Sequence, residues 1–319
     1  MTTADHTEGG LALGAWLPEI HAALLDLINT HGNCSPNYNP AKPPIAAIDC
    51  DETLICNDIG EAMLRFMVTR RRFHADRGFW QLIPERMGRE AIMAAYNAVA
   101  GRAEAEVKDT AAYRRYRAGI LSVYETLRAN EGLEAAYVFA CRLLRGQHER
   151  TLADLVEEVL DYELERPLNQ EEIVGGPPFQ GQIVPTGIRV YREMRDLLSL
   201  LQEYGFHTYI VTSSNAYVVR ALARRIGFPP DRVLGMELGL NGMVYNDRVN
   251  EPITIGEGKL EALLDTAGRS PVLAIGDSMN DFEMLENCEG LTIVMDRGDE
   301  ELVERAQQMG WPVQTTLSV

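Results

Sequence analysis

Cysteine and histidine are scarce in this chain, and neither is grouped. The five cysteines (Cys34, Cys50, Cys56, Cys141, Cys288) are scattered with no CxxC pair. That pattern suits reduced thiols and argues against a disulfide framework or a zinc site. The six histidines form neither HExxH nor any other close ligand spacing, so a histidine-based metal centre is not expected. No run approaches the ~20 continuous apolar residues that cross a bilayer, which excludes a membrane partner of that kind. The opening "MTTADHTEGG" lacks the basic start and apolar stretch of a signal peptide, and a cytoplasmic location is the expectation. Lys and Arg number 30 against 47 Asp and Glu, a formal charge of -17. Nucleic-acid binding needs clustered cations and is therefore not expected. The basic run "RRRF" at 70–73 reads as a solvated helix end.

What is present is a soluble globular composition, 46% hydrophobic and 24% charged over 319 residues, enough for one large domain or two ordinary ones. Trp16, Ile20, Leu24, Leu27 and Ile28 recur at helical spacing, closed by Gly32. The Asn- and Pro-rich "NCSPNYNPAKPP" then acts as a connector, and Ile45 to Ile48 read as a short buried strand. From about residue 58 to 166 the patterns are helical and strand signals are almost absent. "GGPPFQGQ" punctuates the end of that block. Beyond it strands alternate with helices: "HTYIVT", "RVLGMEL", "PVLAIGD" and "LTIVMD" are the strands, and Asn-Gly in "LGLNGMVYND" marks a hairpin. Alternation of this kind predicts an α/β, Rossmann-like three-layer core with a mostly parallel sheet. An interruption of roughly 110 residues is far longer than a loop and must be a subdomain. The expected division is an amino-terminal helix and connector over 1–44, a discontinuous core over 45–58 and 179–319, and a helical cap over 59–178.

In an open parallel sheet, sites form at the carboxyl ends of the strands. The first strand ends in "DCDET", placing Asp49, Asp51 and Thr53 there. "YIVT" ends in Thr212, followed by Ser213 and Ser214. "LAIGDSMND" ends in Asp277, with Asn280 and Asp281 just after it. Lys259 stands near the start of the helix feeding that strand. Carboxylates gathered at one place repel and tend to keep their protons unless a hard cation such as Mg²⁺ joins them. Asp49 and Asp277 are the candidate side-chain ligands. Alternation along a strand points Asp49 and Asp51 the same way and Cys50 opposite. One acid can then attack phosphorus while the other handles the proton, with Lys259 sharing the phosphoryl charge and Thr212 donating its hydroxyl to a phosphate oxygen.

The order strand–DxDxT, strand–Thr, Lys, strand–GDxxxD resembles the haloacid dehalogenase superfamily of phosphotransferases. Asp49-Cys50-Asp51-Glu52-Thr53 is similar to its first motif, Thr212 to the second, Lys259 to the third, and Gly276-Asp277 through Asp281 to the fourth. The resemblance implies Asp49 as nucleophile, Asp51 as acid and base, and Mg²⁺ held by Asp49, the Asp51 carbonyl and Asp277. Asp281 would orient the metal shell or Lys259. Dehalogenases lack an acid at the Asp51 position, so the resemblance implies a phosphatase. The insertion after the first motif, "GDSMND" and the "LGLNGMVY" hairpin are similar to the phosphoserine phosphatase-like branch. There the cap closes over the site, and acids soon after the first motif contact the amine of the substrate. Asp58 falls at the place used by phosphoserine phosphatases, and Glu61 at that of phosphorylcholine phosphatases. A helix-start charge explains either acid equally well. Phe79, Trp80, Tyr113 and Tyr116 offer either a box for a quaternary ammonium or cap core. The implied partner is a small phosphate ester, amine- or ammonium-bearing. The motifs leave open phosphoryl transfer to an acceptor other than water, and a non-catalytic phosphate-binding regulatory module.

Overall fold

The computed structural model describes residues 10–319. Helix α1 (Pro18–His31) precedes strand β1 (Ile45–Ile48), and the short β2 (Ile55–Cys56) follows it. Seven helices come next: α2 (Ile59–Arg70), α3 (Arg77–Leu82), α4 (Arg89–Asn97), α5 (Glu104–Val107), α6 (Ala111–Glu131), α7 (Leu133–Arg142) and α8 (Glu149–Glu165). Strands β3 (Asn169–Ile173), β4 (Gln182–Thr186) and β5 (Arg189–Val190) lead back to the sheet. The remainder alternates: α9 (Arg192–Glu203), β6 (His207–Asn215), α10 (Ala216–Arg225), β7 (Val233–Met236), then β8 (Leu238–Asn241) and β9 (Val244–Val249). Helix α11 (Glu257–Ala267), β10 (Leu273–Gly276), α12 (Phe282–Glu286), β11 (Leu291–Met295), α13 (Glu300–Met309) and β12 (Val313–Gln314) complete it.

Six strands form one parallel sheet in the order β12-β11-β10-β1-β6-β7. Strand β1 sits inside it, with Ala46 paired to Leu273 on one side and Thr208 on the other. All four of its residues are buried, as an apolar run covered on both faces must be. The α/β expectation therefore holds. Because β1 lies between β6 and β10, residues following these three strands converge at one sheet edge.

Several elements differ from the sequence reading. Helix α1 begins at Pro18, whose missing N–H suits the first turn, so Trp16 packs from the preceding turn rather than from the helix. Strand β3, "NQEEI", has no apolar alternation. It is held by its antiparallel ladder to β4, with Ile173 opposite Gln182, and "GGPPFQG" is the loop joining them. The expected boundary at 178 thus falls inside one hairpin. Strand β12 is too short to signal itself and pairs only Val313 and Gln314 with β11. Beyond α2, Arg71 is left-handed and donates to the Val99 and Arg102 carbonyls, while Phe73 is buried. The basic run ties down a turn as well as ending a helix.

The cap aromatics form core. Ring centroids step from Phe73 to Phe79 at 4.5 Å, Phe79 to Trp80 at 4.9 Å, and Trp80 to Tyr96 and Tyr96 to Tyr116 at 5.5 Å each. Tyr113 and Tyr116 donate to the Thr69 and Val68 carbonyls. Burial and committed hydroxyls leave no open box, so the ammonium-box reading of these four residues is corrected. The helical block is strapped to the sheet domain by backbone bonds at 2.8–3.0 Å from Gly146, Tyr245 and Glu149 to Tyr245, Gln147 and Met243. Ion pairs of Arg225 with Glu157 and Asp161 add a link between α10 and α8.

Candidate active site

Backbone geometry sets the first acid pair. The Asp49 N–H donates to the Ile275 carbonyl at 2.9 Å, continuing the β1–β10 ladder by one residue. The chain then turns on the Cys50 carbonyl, which accepts from Leu54 and Ile55, with Glu52 left-handed at φ 57°. Cys50 is fully buried on the opposite side from Asp49 and Asp51.

Asp49 Oδ1 accepts from Lys259 Nζ at 2.5 Å, and the same ammonium donates to Asp281 Oδ1 at 2.6 Å. Lys259 is 2% exposed and Asp281 completely buried. Asp281 Oδ2 in turn accepts from the Asp277 and Ser278 N–H groups at 3.1 and 3.2 Å. It thereby fixes the turn that presents Asp277. Gly276 is required beneath it, since a Cβ there would lie 2.6 Å from the Asp281 side chain. Asp277 Oδ1 accepts from the Thr53 hydroxyl at 3.3 Å. Carboxylate oxygens of Asp49, Asp277 and Asp281 all lie within 4.8 Å of one another.

Asp51 has a different environment. Its Oδ1 accepts the Ile59 N–H at the start of α2 at 2.7 Å, and its Oδ2 accepts from Ser214 Oγ at 2.8 Å and Thr212 Oγ1 at 3.2 Å. The Thr212 hydroxyl, expected to meet a phosphate oxygen, is directed at Asp51 here. Thr212 is fully buried behind Asp51, and its oxygen also accepts the Ser214 N–H. Ser213 instead lines the pocket, and its hydroxyl has no protein partner. Sequence order alone favoured Thr212; the pairing of β6 with β7 is irregular between Val211 and Asn215, the stretch that holds both hydroxyls.

Electrostatics separate the acids by role. Burial, then Asp281, pushes the Asp49 carboxyl up to about 7 against the pull of Lys259. Asp277 is raised well above the usual range by burial, Asp49 and Asp281. Asp51 is raised well above it by burial, Asp58 and Asp49, which favours its protonated form. Burial opposes the Lys259 charge, but Asp281 and Asp49 more than offset it and hold its pKa above the ordinary lysine value.

These groups border a cavity of about 430 Å³, whose other walls include Asp58, Glu61, Arg128, Tyr137 and Arg297. Asp58 caps α2 by accepting the Glu61 N–H at 2.7 Å and accepts the Tyr137 hydroxyl at 2.7 Å. Burial, then Glu61, lifts Asp58 to about 6. Glu61 pairs with Arg65 and Arg128 at 3.1 Å each and accepts from Tyr124 at 3.0 Å. Asn280 lines the same cavity, with its carbonyl on the Gly256 N–H. Arg128, Tyr137 and Arg297 carried no sequence signal, because nothing in their neighbours places them at the strand ends. A larger cavity of about 650 Å³ lies beside the β8–β9 hairpin, and none of the motif residues borders it.

The donors suit a hard divalent cation. Asp281 spends both oxygens on Lys259 and the turn, whereas Asp49 and Asp277 face each other carboxyl to carboxyl, steadied by Lys259 and the Cys50 N–H on one and by the Thr53 hydroxyl on the other. Two hard oxygen donors with excess negative charge match Mg²⁺ better than a softer metal. Among the described residues no helix is long and apolar enough to cross a membrane.

Residues 128–286 match the family model described as haloacid dehalogenase-like hydrolase. The segment contains Thr212, Lys259, Asp277 and Asp281, while Asp49 and Asp51 lie ahead of it. A protein of unknown function from Anaerococcus prevotii DSM 20548 superposes with a TM-score of 0.84 at 23% identity, covering 98% of this chain and 97% of that one. One from Bordetella pertussis Tohama I gives 0.54 at 20% identity, over 85% and 97%. A substrate-bound phosphoserine phosphatase gives 0.42 at 14% identity, over 83% and 97%. No curated protein matches the chain. The fold, the matched segment and the strand-end carboxylates agree, and over residues 128–286 the chain is a haloacid dehalogenase-like hydrolase.

Proposed function

We propose that the protein is a Mg²⁺-dependent phosphomonoesterase that works through an aspartyl-phosphate on a small phosphate ester. The observation that carries this reading is the pairing of Asp49 with Lys259 beside Asp277, while Asp51 sits on a separate set of donors. Asp49 is the nucleophile. Its carboxylate oxygen forms a bond to phosphorus as the bond from phosphorus to the ester oxygen breaks, and protonated Asp51 gives its proton to the departing alkoxide. Asp51, now ionised, takes a proton from the water that attacks the acyl phosphate. Inorganic phosphate leaves and Asp49 is regenerated. Lys259 spreads the charge of the phosphoryl oxygens, and the Ser213 hydroxyl is placed to donate to one of them. Asp49, the Asp51 carbonyl and Asp277 would hold Mg²⁺, which supplies charge neutralisation between nucleophile and phosphoryl group when bound. Thr53 orients Asp277, and Asp281 orients Lys259.

The helical block from α2 to α8 with the β3–β4 hairpin acts as the cap and supplies the leaving-group contacts. For an amine-bearing ester Asp58 is the better reader, because Glu61 already holds two guanidinium groups. The test is Asp49→Asn assayed for phosphate release on an aryl phosphate and on a panel including phosphoserine, choline phosphate and sugar phosphates. Turnover should fall at least about 10³-fold on every ester while the circular-dichroism spectrum is unchanged. Wild-type rates in the variant rule the reading out.

A further inference from the structure

A second cavity, of about 250 Å³, lies within the helical block where α2, α5, α6, α8 and β3 meet. Its walls run against the charge of the whole chain. Five cations (Arg65, Arg70, Lys108, Arg117, Arg166) face three carboxylates (Glu104, Glu163, Glu171), in a protein of formal charge -17. The carboxylates are already shared out. Glu171 takes Arg117 at 2.7 Å and Arg166 at 2.9 Å, Glu104 takes Arg70 at 2.8 Å, and Glu163 accepts the Gly187 N–H.

Two cations are left short of partners. The exposed Lys108 ammonium has no hydrogen bond or ion pair among the described residues. Arg65 is the stronger case. Its side chain is 11% exposed, yet of its five donors only Nη1 has a protein acceptor, Glu61 at 3.1 Å. No Arg65 nitrogen is both fully buried and unpartnered, so the donors not used on Glu61 are open to the cavity, where an acceptor can reach them. The positions of Arg70 and Arg166 are fixed by stacking at 5.4 and 5.0 Å on the Tyr162 ring. The cation set is therefore arranged before any ligand arrives.

We propose that this cavity binds a compact, multiply charged oxyanion of the phosphate class, and that its occupant competes with Glu61 for Arg65. The volume is below that of drug-sized pockets, which selects a small anion. Planar guanidinium forks match tetrahedral oxyanions with paired donors. Coupling follows from Arg65, which touches the second cavity on one side and Glu61 of the acidic pocket on the other. Drawing Arg65 away leaves Glu61 with a single guanidinium, Arg128, beside the Tyr124 hydroxyl, and makes it a better partner for a cationic leaving group. That second step rests on the phosphatase reading; the binding step does not.

Binding is tested on the full-length chain by titrating sulfate while following the Nε–H resonances of Arg65 and Arg117. Saturable shifts are expected in wild type and in Asp49→Asn alike. Lys108→Glu should weaken the apparent affinity about tenfold, and Arg65→Lys should do the same without charge reversal. Linear, non-saturating shifts, or equal affinity in wild type and both variants, would overturn the site. Coupling is tested by assaying esters with cationic and with neutral leaving groups as sulfate is added. Sulfate competing in the acidic pocket raises KM for both equally. Occupancy of the cap cavity should lower the ratio of cationic to neutral KM, and an unchanged ratio overturns the coupling while leaving both the site and the phosphatase reading standing.

Discussion

Two adjacent hydroxyls within β6 have different surroundings, and single substitutions separate them. Ser213 has no protein partner, so Ser213→Ala removes nothing the fold relies on. If its hydroxyl meets the phosphoryl group, kcat/KM should fall about 10²-fold, the scale seen for loss of one such donor, with an unchanged urea midpoint. Thr212 is buried between Asp51 and the Ser214 N–H, and Thr212→Val strips a donor from one and an acceptor from the other. That variant should lose about 1–3 kcal/mol of stability, the cost of an orphaned buried group. Equal stability losses in the two variants would mean that both hydroxyls are structural. The sequence pointed to this strand end and to both hydroxyls, but not to which of them faces the cavity. Strand alternation predicts one outward residue in two, and the pairing of β6 is irregular over the stretch that holds them.

At the scale of elements, the start of α2 is the tightest joint between cap and sheet. Its first N–H group holds Asp51, and Gly60 sits where a Cβ would press on the Ser214 side chain, 3.0 Å from its Cβ. Gly60→Ala should therefore push Ser214 off Asp51, lowering turnover on alkyl esters, which need the acid, more than on aryl phosphates. A uniform loss across leaving groups would separate Gly60 from the Asp51 network. Further along the cap, burial raises Glu171 but Arg117 and Arg166 outweigh it and hold its carboxyl below the usual glutamate value. A depressed folded pKa contributes stability above the unfolded value and loses it as pH falls. Glu171→Gln should lower the urea midpoint at pH 7, with the difference starting to close below the unfolded value of about 4.3 and gone once pH is below the depressed folded value. A gap that persists at lower pH would assign the loss to packing. Element types were legible wherever periodicity was strong, as in α6 and β1. They were not where pairing rather than pattern holds a strand, as in the polar β3 and the two-residue β12.

Over the whole molecule, what could be read from sequence was the chemistry carried by strand ends, because a parallel sheet gathers them whatever their separation in the chain. Asp49, Lys259, Asp277 and Asp281 meet for that reason across 232 positions, the interval from 49 to 281. Arg128 and Tyr137 reach the same cavity only because the cap folds over it, and no local pattern encodes that approach. The site also strains the fold that builds it. Burial and Asp281 raise the Asp49 carboxyl, and burial, Asp49 and Asp281 raise that of Asp277, so these acids ionised together without a counter-cation destabilise the folded chain. Asp277→Asn removes one of those charges. In chelator it should therefore melt above the wild type, although with Mg²⁺ it should be inactive. Saturating Mg²⁺ should reverse the order. At a hundred times its dissociation constant a ligand adds about 2.7 kcal/mol to the folded state it binds, and a chain of this size gains roughly 2–4 °C per kcal/mol. The wild type should thus gain several degrees from Mg²⁺, and the variant little. Calorimetry of both proteins with and without the metal decides the matter: a variant less stable than wild type in chelator would mean that Asp277 is held for its hydrogen bonds, and that repulsion between the acids is not what a cation relieves.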